Sequence, residues 1–140
     1  DAKAYFDKDA VRIAYDDETI AQYLKDKRYK NLDARRMHLE KGKYATNILR
    51  VPSLKGSSKE KVGHPSQKPL KLIEMLVSSA TRARDAVLDP FLGSGTTAVV
   101  CQNLGRKFDG IEIDENYIRI VENRLKESAP GLFDENLLPA

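Results

Sequence analysis

Asp89-Pro90-Phe91-Leu92-Gly93-Ser94-Gly95-Thr96-Thr97-Ala98 stands between two apolar segments of different period. Before it, Asp85-Ala86-Val87-Leu88-Asp89 has the length and content of a buried strand. After it, Thr96 to Leu104 sets Ala98, Val99, Cys101 and Leu104 at helical spacings, and Gly105 closes the helix. A strand, a glycine turn and a helix in this order predict a βα unit. Downstream, Lys107 to Ile113 forms a second strand, and Glu115 to Lys126 a helix with Tyr117, Ile118, Val121 and Leu125 on one face. Upstream, Pro69 begins a helix to about Ala80 with Leu70, Ile73, Leu76 and Val77 apolar. The order helix–β–α–β–α predicts an α/β fold with a parallel sheet and crossover helices.

The turn itself carries chemistry. Gly93 and Gly95 reach backbone angles closed to other residues and let a ligand approach the main chain. They sit at the C-terminal end of a strand, where open α/β sheets bind ligands. The second strand brings Glu112 to its own tip, about 5 Å away if the two strands pair directly. A carboxylate there accepts hydrogen bonds from vicinal ribose hydroxyls. A nucleoside-containing ligand therefore fits this geometry. A phosphate-binding P-loop requires a lysine after the last glycine, and Thr96 stands there instead. A dinucleotide site remains open, since Gly93-x-Gly95-x-x-Ala98 fits the loose fingerprint with the acid 17 positions after Gly95. An S-adenosylmethionine (AdoMet) site is favoured by Asp89, whose charge repels a pyrophosphate and attracts the ammonium of an amino acid. A helix-entry turn that binds nothing would leave Asp89 and Glu112 as two acids at strand tips with no partner.

Charge divides the chain. From Lys25 to Lys61 there are twelve basic and four acidic residues, a net of +8, whereas residues 63–140 carry −2. Such a basic block is either a well-solvated surface or a phosphate-facing segment. Its reading here is a DNA-contact region, with Arg35, Arg36, Lys41, Lys43 and Arg50 as leading residues. The same half predicts a short capped helix at Asp17–Asp26, an extended piece at Val11–Ile13 and a strand at Asn47–Val51 ended by Pro52. Residues 55–61, Lys-Gly-Ser-Ser-Lys-Glu-Lys, contain nothing apolar and predict a mobile loop. The chain divides into a basic, irregular region at 1–62, an α/β half at 63–128 and a tail at 129–140. No stretch approaches the ~20 apolar residues of a membrane span, and no signal-peptide pattern opens the chain. Cys101 is the only cysteine, which excludes an intrachain disulfide and a cysteine-rich metal site. A cytoplasmic setting is expected.

Three motifs in order resemble the amino-group DNA methyltransferases, which act on adenine N6 or cytosine N4. Asp89–Thr97 is similar to that family's AdoMet-binding motif. Gly110-Ile111-Glu112-Ile113-Asp114-Glu115-Asn116-Tyr117 resembles its next motif, and His64-Pro65-Ser66-Gln67-Lys68-Pro69 the motif at its cofactor pocket. The order is that of the β group, in which the cofactor-binding half comes last. The resemblance covers residues 63–126, and the earlier segment resembles the group's target-recognition region. It implies a partial Rossmann-like AdoMet-dependent fold. It also implies that Asp89 and the backbone at Phe91 and Gly93 face the methionine part of AdoMet. Glu112 would hold the ribose hydroxyls, Ile113 with Phe91 would flank the adenine, and Ser66 and Lys68 would sit near the methionine carboxylate. A hydroxyl, an ammonium and the helix start after Pro69 all favour an anion there.

The family's catalytic motif, Asp, Asn or Ser followed by Pro-Pro and an aromatic, is absent, since no two of the six prolines are adjacent. In the β group it would lie N-terminal to Asp1, and the chain opens without methionine. The chain is therefore expected to be the C-terminal part of a methyltransferase: a proteolytic product, one chain of a split enzyme or a truncated chain. Two parallel strands over a ~60-residue core are marginal for an independent domain. The expected partners are double-stranded DNA and a second polypeptide segment carrying the catalytic Pro-Pro-aromatic motif and the remaining strands. Two other readings are a non-catalytic subunit that binds DNA or AdoMet and a nicotinamide-dependent oxidoreductase domain.

Overall fold

The computed structural model describes residues 4–28 and 30–128, so the tail expected at 129–140 lies outside the described residues. Helix α1 spans Asp17–Leu24 and α2 Leu32–Glu40; then follow α3 at Leu70–Ala80, β1 at Ala86–Asp89, α4 at Thr96–Asn103, β2 at Lys107–Gly110 and α5 at Glu115–Ser128. The Asp16 carboxylate accepts the Thr19 amide at 2.7 Å and caps α1. This helix ends at Leu24, two residues before the expected Asp26. The region read as irregular contains α2, capped by Asn31, whose side chain accepts the Ala34 amide at 3.0 Å. Leu39, only 1% exposed, anchors it.

The extended piece at Val11–Ile13 is present as a single antiparallel bridge, with Ile13 and Lys43 exchanging two backbone bonds of 2.9 Å. Asn47–Val51 is not a strand. It has the right alternation, but among the described residues no neighbour offers it a ladder. At 55–61 the chain makes two tight turns, Ser58 donating to the Lys55 carbonyl and Lys61 to that of Ser58. Glu60, inside this segment, accepts the Leu70 amide and so caps the start of α3.

The two strands pair in parallel, with Ala86 opposite Lys107 and Asp89 opposite Gly110. The expected β2 ran to Ile113 but stops at Gly110, because its partner β1 ends at Asp89, before Pro90. Two further bonds carry the contact just past the ladder: Ile111 to the Asp89 carbonyl at 3.0 Å and Leu92 to the Ile111 carbonyl at 2.9 Å.

Helix α4 is central. It packs on α3, α5 and β2, and five of its eight residues are buried: Thr96, Ala98, Val99, Val100 and Cys101. Val87 and Phe108 face each other across the register and join Val77, Val100 and Cys101 in the core. Leu88 points to the opposite face and is 65% exposed. By strand alternation Ile111 belongs to that same face, and it too is exposed. Among the described residues the sheet is thus covered on one side only.

The glycine turn fits this core through an absence of side chain. Gly95 has φ +75°, and a Cβ there would lie 2.6 Å from Val121 Cγ2 on α5. Gly95→Ala therefore combines a left-handed backbone with overpacking, an expected loss of about 2–4 kcal/mol in urea unfolding. Val121→Ala in the same chain removes the overpacking part, and a double-mutant cycle of urea midpoints reads the difference.

Candidate functional site

Four segments converge at the C-terminal ends of β1 and β2. β1 delivers Asp89, the turn delivers Phe91 and Gly93, the segment after β2 delivers Glu112 and Ile113, and the approach to α3 delivers His64, Ser66 and Lys68. A cleft of about 170 Å³ opens among His64, Ser66, Lys68, Asp89, Phe91 and Gly93. Five residues named from the sequence, Ser66, Lys68, Asp89, Phe91 and Gly93, thus share one cavity. Gly95 lies behind it as the first residue before α4. Glu112 borders it through a hydrogen bond with Gly93, and Ile113 projects outside it, 98% exposed.

The two acids are held differently. Asp89 accepts the Thr97 hydroxyl at 2.6 Å on one oxygen and the Phe91 amide at 3.1 Å on the other. A carboxylate offers about four acceptor positions, so roughly two remain toward the cleft. Glu112 accepts the Gly93 amide at 2.7 Å on Oε2, and the amides of Ile113 and Asp114 at 2.9 and 3.0 Å on Oε1. About one acceptor position is left. The Asp114 and Gly93 amides, with a smaller contribution from Ile113, hold the Glu112 carboxyl below the usual range against the opposing effect of desolvation.

The turn is also gripped from above and behind, by His64 and Arg124, to which the motif reading gave no role. The His64 ring lies 4.4 Å from that of Tyr117, and its Nδ1 accepts the Ser66 amide at 3.2 Å. A Cβ on Gly93, whose φ is +54°, would meet His64 Nε2 at 3.1 Å, so glycine lets the imidazole rest on the turn. Lys68 Nζ donates to the Ser66 carbonyl at 2.9 Å, and the Lys68 carbonyl accepts the Thr96 hydroxyl at 3.2 Å. Behind, Arg124 of α5 is 8% exposed and donates to the Ser94 carbonyl at 2.6 Å. Burial lowers its pKa, opposed by Glu60 and Glu127. An arginine among apolar positions of a helix is the one sequence signal that could have pointed to it, since arginine is buried only when paired.

The basic residues named from the sequence lie on two parts of the fold. Lys43 and Arg50 line a cleft against α3. Arg35 and Arg36 lie on α2, Arg35 with its guanidinium 5.2 Å from the Tyr23 ring, and Lys41 is the C-cap of that helix. Among the described residues no group of His, Cys, Asp and Glu has the geometry of a metal site, and no helix is long and apolar enough to cross a membrane.

Comparison with known proteins agrees with this geometry. The N6/N4 methyltransferase family profile, described as DNA methylase, matches residues 1–123. Type II methyltransferase M.ScaI of Streptomyces caespitosus is 35% identical over 133 residues, covering 92% of this chain and 41% of the relative. Type II methyltransferase M2.LlaDCHI of Lactococcus lactis subsp. cremoris is 41% identical over 88 residues, covering 63% and 33%. The chain thus spans well under half the length of these relatives. PvuII DNA methyltransferase (cytosine-N4-specific), a solved structure, superposes with a TM-score of 0.52 at 24% identity over 68% of this chain and 34% of its own. That likeness concerns the fold: a Rossmann-like parallel sheet with flanking helices, of which this chain has part.

The Glu112 clamp has a pH signature. Its folded-state pKa is lowered, so its contribution to stability is complete above the ordinary glutamate value of about 4.3. That contribution is lost as pH falls through the lower, folded value. Glu112→Gln is expected to flatten this part of the acid limb when urea midpoints are followed from neutral pH downward. An acid limb identical to that of the parent chain would show that the clamp is not formed.

Proposed function

This chain belongs to the N6/N4 DNA methylase family, and on that premise we propose that it is the cofactor-binding and DNA-contacting part of an AdoMet-dependent methyltransferase. The reaction moves the methyl group of AdoMet to the exocyclic amino nitrogen of adenine or cytosine in double-stranded DNA. The observation that carries the proposal is the joining of two acid-bearing strand tips by one glycine turn, through the 2.7 Å bond from Gly93 to Glu112.

The donor set fits AdoMet in parts. The 170 Å³ cleft is smaller than a drug-sized ligand pocket, which starts near 300 Å³, and matches an amino-acid moiety. Asp89 has acceptor positions for an ammonium, while Ser66 and Lys68 bring a hydroxyl and a cation to a carboxylate. The adenosine end would lie outside the cleft, over Phe91 and Ile113, which are 88% and 98% exposed. Apolar side chains in that condition at strand tips suit the two faces of a heteroaromatic ring. Glu112 would accept one ribose hydroxyl on its remaining position, which lies on Oε2 beside the Gly93 bond. When bound, AdoMet supplies a methyl group on a sulfonium that leaves readily. The residues here orient it and hold its charged ends, so their contribution is positioning.

The chain has no Pro-Pro dipeptide to grip a flipped base. The proposal therefore includes a companion segment that carries this motif and covers Leu88 and Ile111. A catalytically silent AdoMet- and DNA-binding part is what the 140 residues would be without it. Part of the basic segment, with Lys43 and Arg50, would face DNA. A cytoplasmic setting, with Cys101 buried as a free thiol, completes the reading.

Asp89→Ala and Glu112→Ala are each expected to weaken AdoMet binding at least about tenfold, the loss of one charge-assisted hydrogen bond. Calorimetry on the chain with its companion segment measures this, and near-parental affinity in both variants would overturn the assignment. A thermal-shift comparison should show stabilisation by AdoMet and none by NAD, with the reverse pattern favouring an oxidoreductase.

A further inference from the structure

A second group of cations lies away from α2. A cleft of about 600 Å³ lies between residues 43–52 and the first turns of α3. Its walls carry Arg12, Lys43, Arg50 and Lys71, and no carboxylate is among its lining residues. Its apolar lining includes Ile48, Leu49 and Met75. Two of the four cations, Arg12 and Lys71, lie outside the run at 25–61 or are isolated by it in sequence, so only the fold assembles the set.

Three features make this more than a solvated patch. Arg12 is fixed in place: its guanidinium donates to the Gly42 carbonyl at 2.7 Å and to Asp9 at 2.6 Å, and lies 4.1 Å from the Tyr44 ring. About three of its five donors remain for another acceptor. Lys43 is linked to Ile13 by the antiparallel bridge, so the walls are tied by backbone. Neither Lys43 nor Arg50 has a carboxylate within 4 Å among the described residues, whereas Lys71 bonds Glu74 at the exposed rim. Asp9 and Glu74 offset part of the charge of Arg12 and Lys71, and Lys43 acts on Asp16 through space, but no carboxylate lines the concavity, which stays positive with Arg50 at its wall. Apolar side chains among the cations, Ile48, Leu49 and Met75, suit the deoxyribose between phosphates.

We infer that this cleft holds the DNA backbone, with Arg12, Lys43, Arg50 and Lys71 neutralising phosphates, and that Arg35 and Arg36 on α2 stand outside the contact. The inference rests on the DNA-methylase reading and specifies its DNA-binding surface. It also places the duplex beside the cofactor cleft, because Lys71 follows Lys68 by three residues at the start of α3.

The test is the salt dependence of duplex-oligonucleotide binding by the 140-residue chain, with the companion segment present, between about 50 and 200 mM salt. Each lost phosphate contact lowers the slope of log K against log salt by about 0.9. Arg50→Gln with Lys71→Gln, both at exposed positions, is expected to lower it by nearly two, with circular dichroism confirming the fold. Arg12→Gln is expected to add one more, and Arg12→Lys to restore most of it. Arg35→Gln with Arg36→Gln is expected to leave the slope unchanged. If the α2 pair carries the slope and the cleft pair does not, the inference falls while DNA binding stands. If the parent shows no salt-dependent binding, both fall. If the cleft variants change only the assembly mass with the companion segment, the cleft is a protein interface and the inference is overturned.

Discussion

The bond from the Gly93 amide to Glu112 joins the tips of two parallel strands that otherwise share a short ladder. Everything at the site is positioned relative to it. It fixes the turn in front, His64 presses from above, and Arg124 with Val121 closes the back. The turn closes one backbone bond within itself, from the Gly95 amide to the Leu92 carbonyl at 2.9 Å. Glu112 takes the Gly93 amide and Arg124 the Ser94 carbonyl, one from each side, with charge-assisted bonds in a partly desolvated setting.

The elements around the turn were legible because each has one strong period. Helices α3, α4 and α5 appear within about two residues of their expected bounds, and β1 within one. Helix α2 was not legible. Leu32 and Met37 are exposed and Leu39 alone is buried, so no apolar stripe marks it. Its Asn31 cap was the available signal. Asn47–Val51 failed in the opposite sense: it alternates as a strand does, but alternation specifies a strand only when a neighbour supplies the ladder. Lys107–Ile113 overran for the related reason that β1 stops at Asp89.

The site divides in the same way. Residues close in sequence to a glycine turn or a strand tip, such as Asp89, Gly93 and Glu112, could be named from spacing. His64 could be included in a motif but not given its place against Tyr117 and Gly93. Arg12 and Lys71 were invisible as partners of Lys43 and Arg50, since a charge run along the chain says nothing about which cations the fold gathers around one concavity. A block of positive sequence and a positive surface are different objects.

Among the described residues one side of the sheet is bare, and that has a colloidal consequence. Leu88 and Ile111 form an apolar strip bordered by Phe91 and Ile113, on a chain whose net charge is only +3. Repulsion that weak does little to keep such strips apart. Strongly hydrated anions such as sulfate raise the free energy of wetted apolar surface, so they drive isolated copies toward precipitation. Crowded or high-sulfate media therefore select against the lone chain and in favour of whatever shields that strip.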